Sequence, residues 1–414
     1  PRLTLVGMPV LTARWVLPDP DQAWPGGGVW IEAGRIRGTA KDAAGVRRLA
    51  RRAGARVRDL GDAVLTAGLV NAHSHLELHA LAGRVSAGGG FGAWIARLLE
   101  VRATCRDDVL SAGARKGADR MLATGTTTVG DIDSLGLTLA ALRGHPLRVR
   151  AYRELLDARD PARTKAAVAG LSRMPRGSSR RLPGLAPHAP FTVSEDLLAA
   201  AARVARTSKL PVTIHWAETA AEVAWMREGS GPLSALLQGS PRTSGLTLFE
   251  RHGLLGPSTS LVHGNLPGRG EPGRIAATGA TVVHCPGCHA FFDREPFPLA
   301  RYRRAGVPLA LGTDSAASNG DVDLRREMAL LRSTHPGLAP KEVWRMATIG
   351  SAHALGLGRH VGRIATGMRA DLALFERNAR SLRDLLDGLT ASMPPVRGTW
   401  VDGRPSTAPD VSAS

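Results

Sequence analysis

The chain has 414 residues, 43% of them hydrophobic and 22% charged, with a formal net charge of +18. That length exceeds one small module and suits a barrel of roughly 250 residues plus a second unit, while no run approaches the roughly 18 apolar residues that cross a bilayer. The charge is nearly all arginine, and its clusters (Arg47, Arg48, Arg51 and Arg52; Arg180 and Arg181; Arg301, Arg303 and Arg304) are not interleaved with base-stacking aromatics, so a solvated surface is expected and no nucleic-acid partner.

Pro1 to Gly7 lacks a long apolar run with a small-residue cleavage site, so no secretion signal is read and a reducing cytoplasm is the expected setting. From Pro1 to about Leu65, strand-like runs alternate with Gly and Pro turns, the clearest at Leu3–Met8, Val29–Ala33 and Arg56–Leu60. Similar runs return at Gly362–Ile364, Ala370–Phe375 and Gly398–Gly403. Residues 1–65 and 360–405 are therefore expected to form one small β-sandwich-like domain, with 406–414 a flexible tail.

Between these segments, residues 66–359 alternate strand and helix patterns, the sign of a parallel α/β sheet and, at eight strands, of a (β/α)8 barrel. The strand candidates end near His73, Gly130, Glu154, His188, His215, His263, His284 and Asp314. Helices are expected at Ala93–Arg102, Val109–Leu122, Ser194–Thr207, Thr219–Arg227, Asp321–Ser333 and Pro340–Leu355. The first strand is read from one apolar run, Val64 to Val70.

Several of these strands end in polar groups, where barrel active sites are built. His73 and His75 alternate and so share a strand face. His215 follows Leu210–Ile214, His263 follows Ser260–Val262, and Asp314 follows Val307–Thr313. Three histidines with one carboxylate suit a zinc-like ion that keeps a coordination position for water. Glu218, three residues past His215, can move a proton, although a helix-capping acid would read the same. Asp314 as an ordinary cap and His263 as a core histidine are the corresponding bland readings. Cys285 and Cys288 have redox or zinc spacing but no second pair, and are read as loop structure near the barrel mouth.

The segment Gly68–His75 resembles the first metal motif of the amidohydrolase superfamily. With Ala123–Asp131, Gly184–Thr192, His215–Glu218, Gly312–Asn319 and Val361–Leu372, it is similar to the branch containing adenosine-type deaminases and triazine chlorohydrolases. The resemblance implies one divalent ion, Zn2+ or else Fe2+ or Mn2+, held by His73, His75, His215 and Asp314. The fourth strand offers no lysine to bridge a second ion. It further implies Glu218 as proton shuttle, His263 as the group polarising substrate or water, and Asp314 as a guide for the attacking water.

His188 matches a substrate-contacting position in nucleoside-type deaminases, or simply bonds its own loop. Phe91–Ile95 resembles a loop-helix element of aminodeoxyfutalosine deaminases, which makes Trp94 either a pocket cover or core. Glu77, Arg84 and Arg153 are further candidates for binding a polar substituent. His289 stands where relatives often carry asparagine, so it could read a different substituent.

The expected reaction is hydrolytic deamination of an aminated heterocycle such as an adenine nucleoside derivative. Loss of chloride or opening of a cyclic amide on the same scaffold is the alternative. A non-catalytic nucleic-acid- or metabolite-binding protein is the rival from another class. No membrane partner is expected, and family members are often homo-oligomers.

Overall fold

The computed structural model describes residues 9–171, 177–235 and 237–406. Eight parallel strands pair in chain order: Leu69–Ser74, Thr126–Asp133, Arg148–Leu155, Arg181–Pro187, Val212–Trp216, Thr259–His263, Thr281–His284 and Leu309–Leu311. The eighth meets the first through a parallel bridge between Ser74 and Asp314, with Thr313 and Asp314 both donating their N–H to the His73 carbonyl at 3.0 and 3.1 Å. Closure thus sets Asp314 against the His73–His75 segment. This is a (β/α)8-type barrel, and its eight strands are those the sequence predicts. Thr126–Asp133 is buried at every residue, as a strand covered on both faces must be.

The helices return as predicted to within a few residues, and their ends explain why. Ser194 caps Glu195–Ser208 by accepting from Leu197 N–H, and Thr219 caps Ala220–Glu228 by accepting from Glu222 N–H. The predicted Pro340–Leu355 helix is interrupted by a π segment at Met346–Gly350. Gly350 lies so close to the Leu309 carbonyl that a Cβ would sit 2.3 Å from the oxygen, so the helix is pressed onto the last barrel strand.

Segments from both ends of the chain build two further sheets. One has six strands, in the order Arg404–Pro405, Val396–Val401, Leu372–Phe375, Val64–Ala67, Trp15–Asp19 and Gln22–Pro25. The other has four, in the order Arg35–Ala40, Gly28–Glu32, Val10–Thr12 and Val57–Asp59. Val29, Ile31 and Ile36 of the smaller sheet share an apolar cluster with Val16, Leu65, Leu372 and Trp400 of the larger. No helix among the described residues is long and apolar enough to cross a membrane.

Four expectations are corrected. The run Val64–Val70 is two strands, because the chain leaves the six-stranded sheet at Ala67 and enters the barrel at Leu69. Ala43–Ala53, in a region read as strands and turns, is a helix that buries Val46, Leu49 and Ala50 and turns Arg47, Arg48, Arg51 and Arg52 to solvent. Leu382–Ala391 is another helix within the C-terminal segment. Gly362–Ile364 is loop, with Ile364 N–H bonded to the Pro18 carbonyl at 2.8 Å instead of to a strand neighbour. The predicted strand Leu3–Met8 and residues 407–414 of the predicted tail lie outside the described residues.

Candidate active site at the barrel mouth

His73 is wholly buried, and its Nε2 faces Asp314 Oδ1 at 3.4 Å; His75 Nε2 faces the same oxygen at 3.5 Å. The His215 ring lies 5.0 Å from His73 and 5.6 Å from both His75 and His263. His215 Nδ1 is turned to the His188 carbonyl at 2.8 Å, which leaves Nε2 for the cluster. Asp314 Oδ2 accepts from Ser318 Oγ at 2.9 Å. Donor atoms of His73, His75 and Asp314 all fall within 4.8 Å of one another, as do those of His73, His215 and His263.

Burial lowers the pKa of His73, carries His75 down to about 3 and drives His263 well below its ordinary value, so the rings are neutral with lone pairs free. Burial alone would raise Asp314, but the facing His73, His75 and His263 rings outweigh it and hold the carboxyl well below its usual range. Neither ring nitrogen of His73 has a hydrogen-bond partner, an arrangement that is costly unless something else binds there. The donor set therefore fits a divalent cation with nitrogen and carboxylate ligands.

Glu218 does not cap the helix that follows it; Thr219 does. Its Oε1 accepts from Arg294 Nη2 at 2.7 Å and lies 3.6 Å from His263 Nε2. The Ala217 and Glu218 N–H groups both donate to the Glu222 carboxylate at 2.8 Å, fixing the backbone beneath the side chain. Burial pushes the Glu222 carboxyl up to about 8. Ala217, His263 and Asp314 all have positive φ, of 50°, 71° and 56°. Such strain in non-glycine residues collects at functional sites.

The remaining candidates divide. His188 bonds Thr192 Oγ1 at 2.7 Å through Nδ1 and lies 5.0 Å from the His215 ring, so it both ties its loop and borders the cluster. Glu77 is wholly buried, 3.7 Å from Arg102, and burial raises its carboxyl to about 7. Trp94 is core: it packs with Leu78, Leu81 and Val85 and against the rings of Phe91 and Phe292. Arg84 bonds Cys105, Arg153 bonds the Gly170 carbonyl, and His289 bonds the Glu295 carbonyl; none of these bonds reaches the histidine cluster.

Sequence reasoning missed Arg294, whose guanidinium lies over Phe292 at 4.7 Å and Phe91 at 5.7 Å while holding Glu218. It also missed Ser318 and Glu222 as supports. Cys285 and Cys288 are free buried thiols at the start of a short helix, Pro286–Phe291.

The amidohydrolase family profile matches residues 64–406. Among curated proteins, the 5-methylthioadenosine/S-adenosylhomocysteine deaminase of Nitratidesulfovibrio vulgaris is 32% identical over 347 residues, covering 81% of this chain and 76% of that protein. Among solved structures, an adenosine deaminase from Xanthomonas campestris with bound zinc superposes with a TM-score of 0.79 at 25% identity, covering 97% of this chain and 93% of that one. The zinc-complexed atrazine chlorohydrolase of Arthrobacter aurescens shares the fold, with a TM-score of 0.82 at 20% identity over 98% and 97% of the two chains.

Proposed function

The chain belongs to the amidohydrolase family, and on that premise we propose that it is a metal-dependent deaminase acting on an adenine nucleoside derivative. The observation that carries the reading is the meeting of His73, His75, His215 and Asp314 beside Glu218 and His263 at the carboxyl ends of the barrel strands.

His73, His75, His215 and Asp314 would hold one divalent ion, zinc by its donor preferences, with iron or manganese the other metals such ligands accept. When bound, the ion supplies Lewis acidity and brings the pKa of water toward neutrality. Glu218 carries the proton from the attacking water to the ring nitrogen and then to the departing amine. Its fixed backbone and its contact with Arg294 keep the carboxylate aimed. His263 polarises the water or the substrate, and Asp314, steadied by Ser318, orients the attack. Water adds at the amidine carbon, the exocyclic carbon–nitrogen bond breaks and ammonia leaves. His188, which borders the cluster, and the buried Glu77 would contact the rest of the substrate.

Ammonia release by the zinc-loaded protein, measured across adenosine, 5-methylthioadenosine and S-adenosylhomocysteine with Glu218→Gln as blank, tests this reading. Turnover absent from the blank, and lost on chelation, is expected. Silence across the panel with metal still bound would remove the nucleoside and turn the search to cyclic amides and halogenated rings.

A further inference from the structure

The reaction leaves the Cys288 thiol at the mouth without a task. Cys288 is wholly buried, and its thiol lies with the Glu218 carboxylate and the His263 ring so that one donor atom of each falls within 4.8 Å of the others. The side chains of His263 and Glu218 are only 4% and 11% exposed. Thiol, imidazole and carboxylate are the three donors that zinc-type ions take, and three of them leave one position open. This set shares no residue with His73, His75, His215 and Asp314, so each ion keeps its own donors, although His263 also lies within 4.8 Å of His73 and His215.

Arg294 already fills the cation position beside this set. Its Nη2 donates to Glu218 Oε1 at 2.7 Å, its plane rests on Phe292 and Phe91, and its Nη1 has no hydrogen-bond partner. An entering ion must displace that guanidinium from the carboxylate. We infer that Glu218, His263 and Cys288 form a second, inhibitory site for a thiophilic divalent cation, with Arg294 as its resident competitor. On binding, the Cys288 S–H proton passes to solvent, a metal–sulfur bond forms, and Arg294 releases Glu218. The soft thiolate favours Cd2+ and Zn2+ over Mg2+ or Ca2+. Occupation stops catalysis because it captures the two groups assigned to proton transfer and polarisation; that consequence, unlike the binding, rests on the proposed reaction.

The test titrates protein carrying one equivalent of zinc with Cd2+, following retained zinc, bound cadmium, the ultraviolet cadmium–thiolate band and ammonia release. One further equivalent, a thiolate band and falling activity in step are expected. Cys288→Ser loses the band and binds the second ion more weakly, Cys285→Ser keeps the band, and Arg294→Met binds the second ion more tightly. No band in the wild type, a band that survives Cys288→Ser, or unchanged affinity in Arg294→Met overturns the site. Since Arg294→Met must gain affinity, a misfolded variant cannot imitate the expected result. Binding as described in a protein that releases no ammonia upholds the site and overturns the deaminase reading instead.

Discussion

One buried cluster of charge lies at the barrel mouth, and another lies where the barrel meets the six-stranded sheet. At the second, Arg148 opens the third barrel strand and gives Nε to Asp371 at 2.8 Å and Nη2 to Asp402 at 2.7 Å. Its Nη1 donates to the Ser179 carbonyl, Asp402 N–H returns to Asp371 at 2.8 Å, and Arg369 adds a bond to Asp402 at 3.0 Å. At the mouth, both His73 nitrogens and Arg294 Nη1 lack hydrogen-bond partners, while positive φ occurs in both regions, at Ala217, His263 and Asp314 in the mouth and at Asp402 in the joint. The joint has spent its polar groups on itself, whereas the mouth has kept some in reserve. Burial and charge are common to both, so neither identifies a site alone. Unmet bonding capacity gathered among ligating side chains does.

That contrast predicts opposite failures. Glu218→Gln should lower kcat by about 10²–10⁴, the usual worth of a placed proton carrier, while bound metal and unfolding midpoint stay as they were. Steady-state ammonia release beside metal analysis and denaturant melts checks it. A large loss of stability with intact kcat would erase the distinction. Arg148→Met should behave in reverse. It leaves the buried Asp371 without its guanidinium, while Asp402 keeps Arg369, at a cost of about 3–5 kcal/mol, and leaves kcat of the folded fraction unchanged. The cost measures the charge left unpaired and not the net worth of the pair. A kcat that fell with stability would show the joint to be part of the catalytic frame.

How far each region could be read in the sequence follows the same division. The strands that carry the site were legible because short, largely apolar runs such as Val212–Ile214, Leu261–Val262 and Leu309–Leu311 lead into polar residues, and the histidines and Asp314 stand at those closures. The Ala43–Ala53 helix was missed although Asp42 caps it, Gly54 ends it and Val46, Leu49 and Ala50 keep helical spacing. Its many arginines hid that stripe within a turn-rich region. Arg294 carried no local signal at all, since it sits in a loop 76 residues from the Glu218 it holds. Arg148 and Asp371, 223 residues apart, were equally silent. Local pattern reports which groups reach a strand end; only the closed barrel reports what they meet there.

A smaller effect is expected from the supports of the mouth. Ser318→Ala removes the hydroxyl that fixes Asp314 Oδ2, and partners of this kind are worth about 10–100-fold in metal affinity or activity. Competition with a chromophoric chelator measures the affinity, and the variant should melt as the parent does in the metal-free state. An unchanged affinity would mean that closure onto His73 already fixes Asp314 by its backbone.

The finest probe is Gly68→Ala, because Gly68 stands between the two regions. There the chain passes from the six-stranded sheet into the first barrel strand, its N–H bonded to the Asp371 carbonyl at 2.9 Å. A Cβ on Gly68 would lie 2.1 Å from Thr127 Oγ1 and 2.4 Å from Thr127 Cγ2, in a spot with no spare volume. Overpacking of this kind costs about 1–3 kcal/mol. Thr127→Ala removes the two nearest crowding atoms but keeps its Cβ at 2.8 Å, so the double variant should recover part of the loss, a coupling that a double-mutant cycle isolates. His73 lies further along the same strand, in the segment against which the barrel closes. If the methyl is absorbed at the seam, stability falls and metal affinity holds, and the two regions are mechanically separate. If metal affinity falls with stability and Thr127→Ala restores both, the seam positions the metal-binding histidines, and the joint belongs to the site after all.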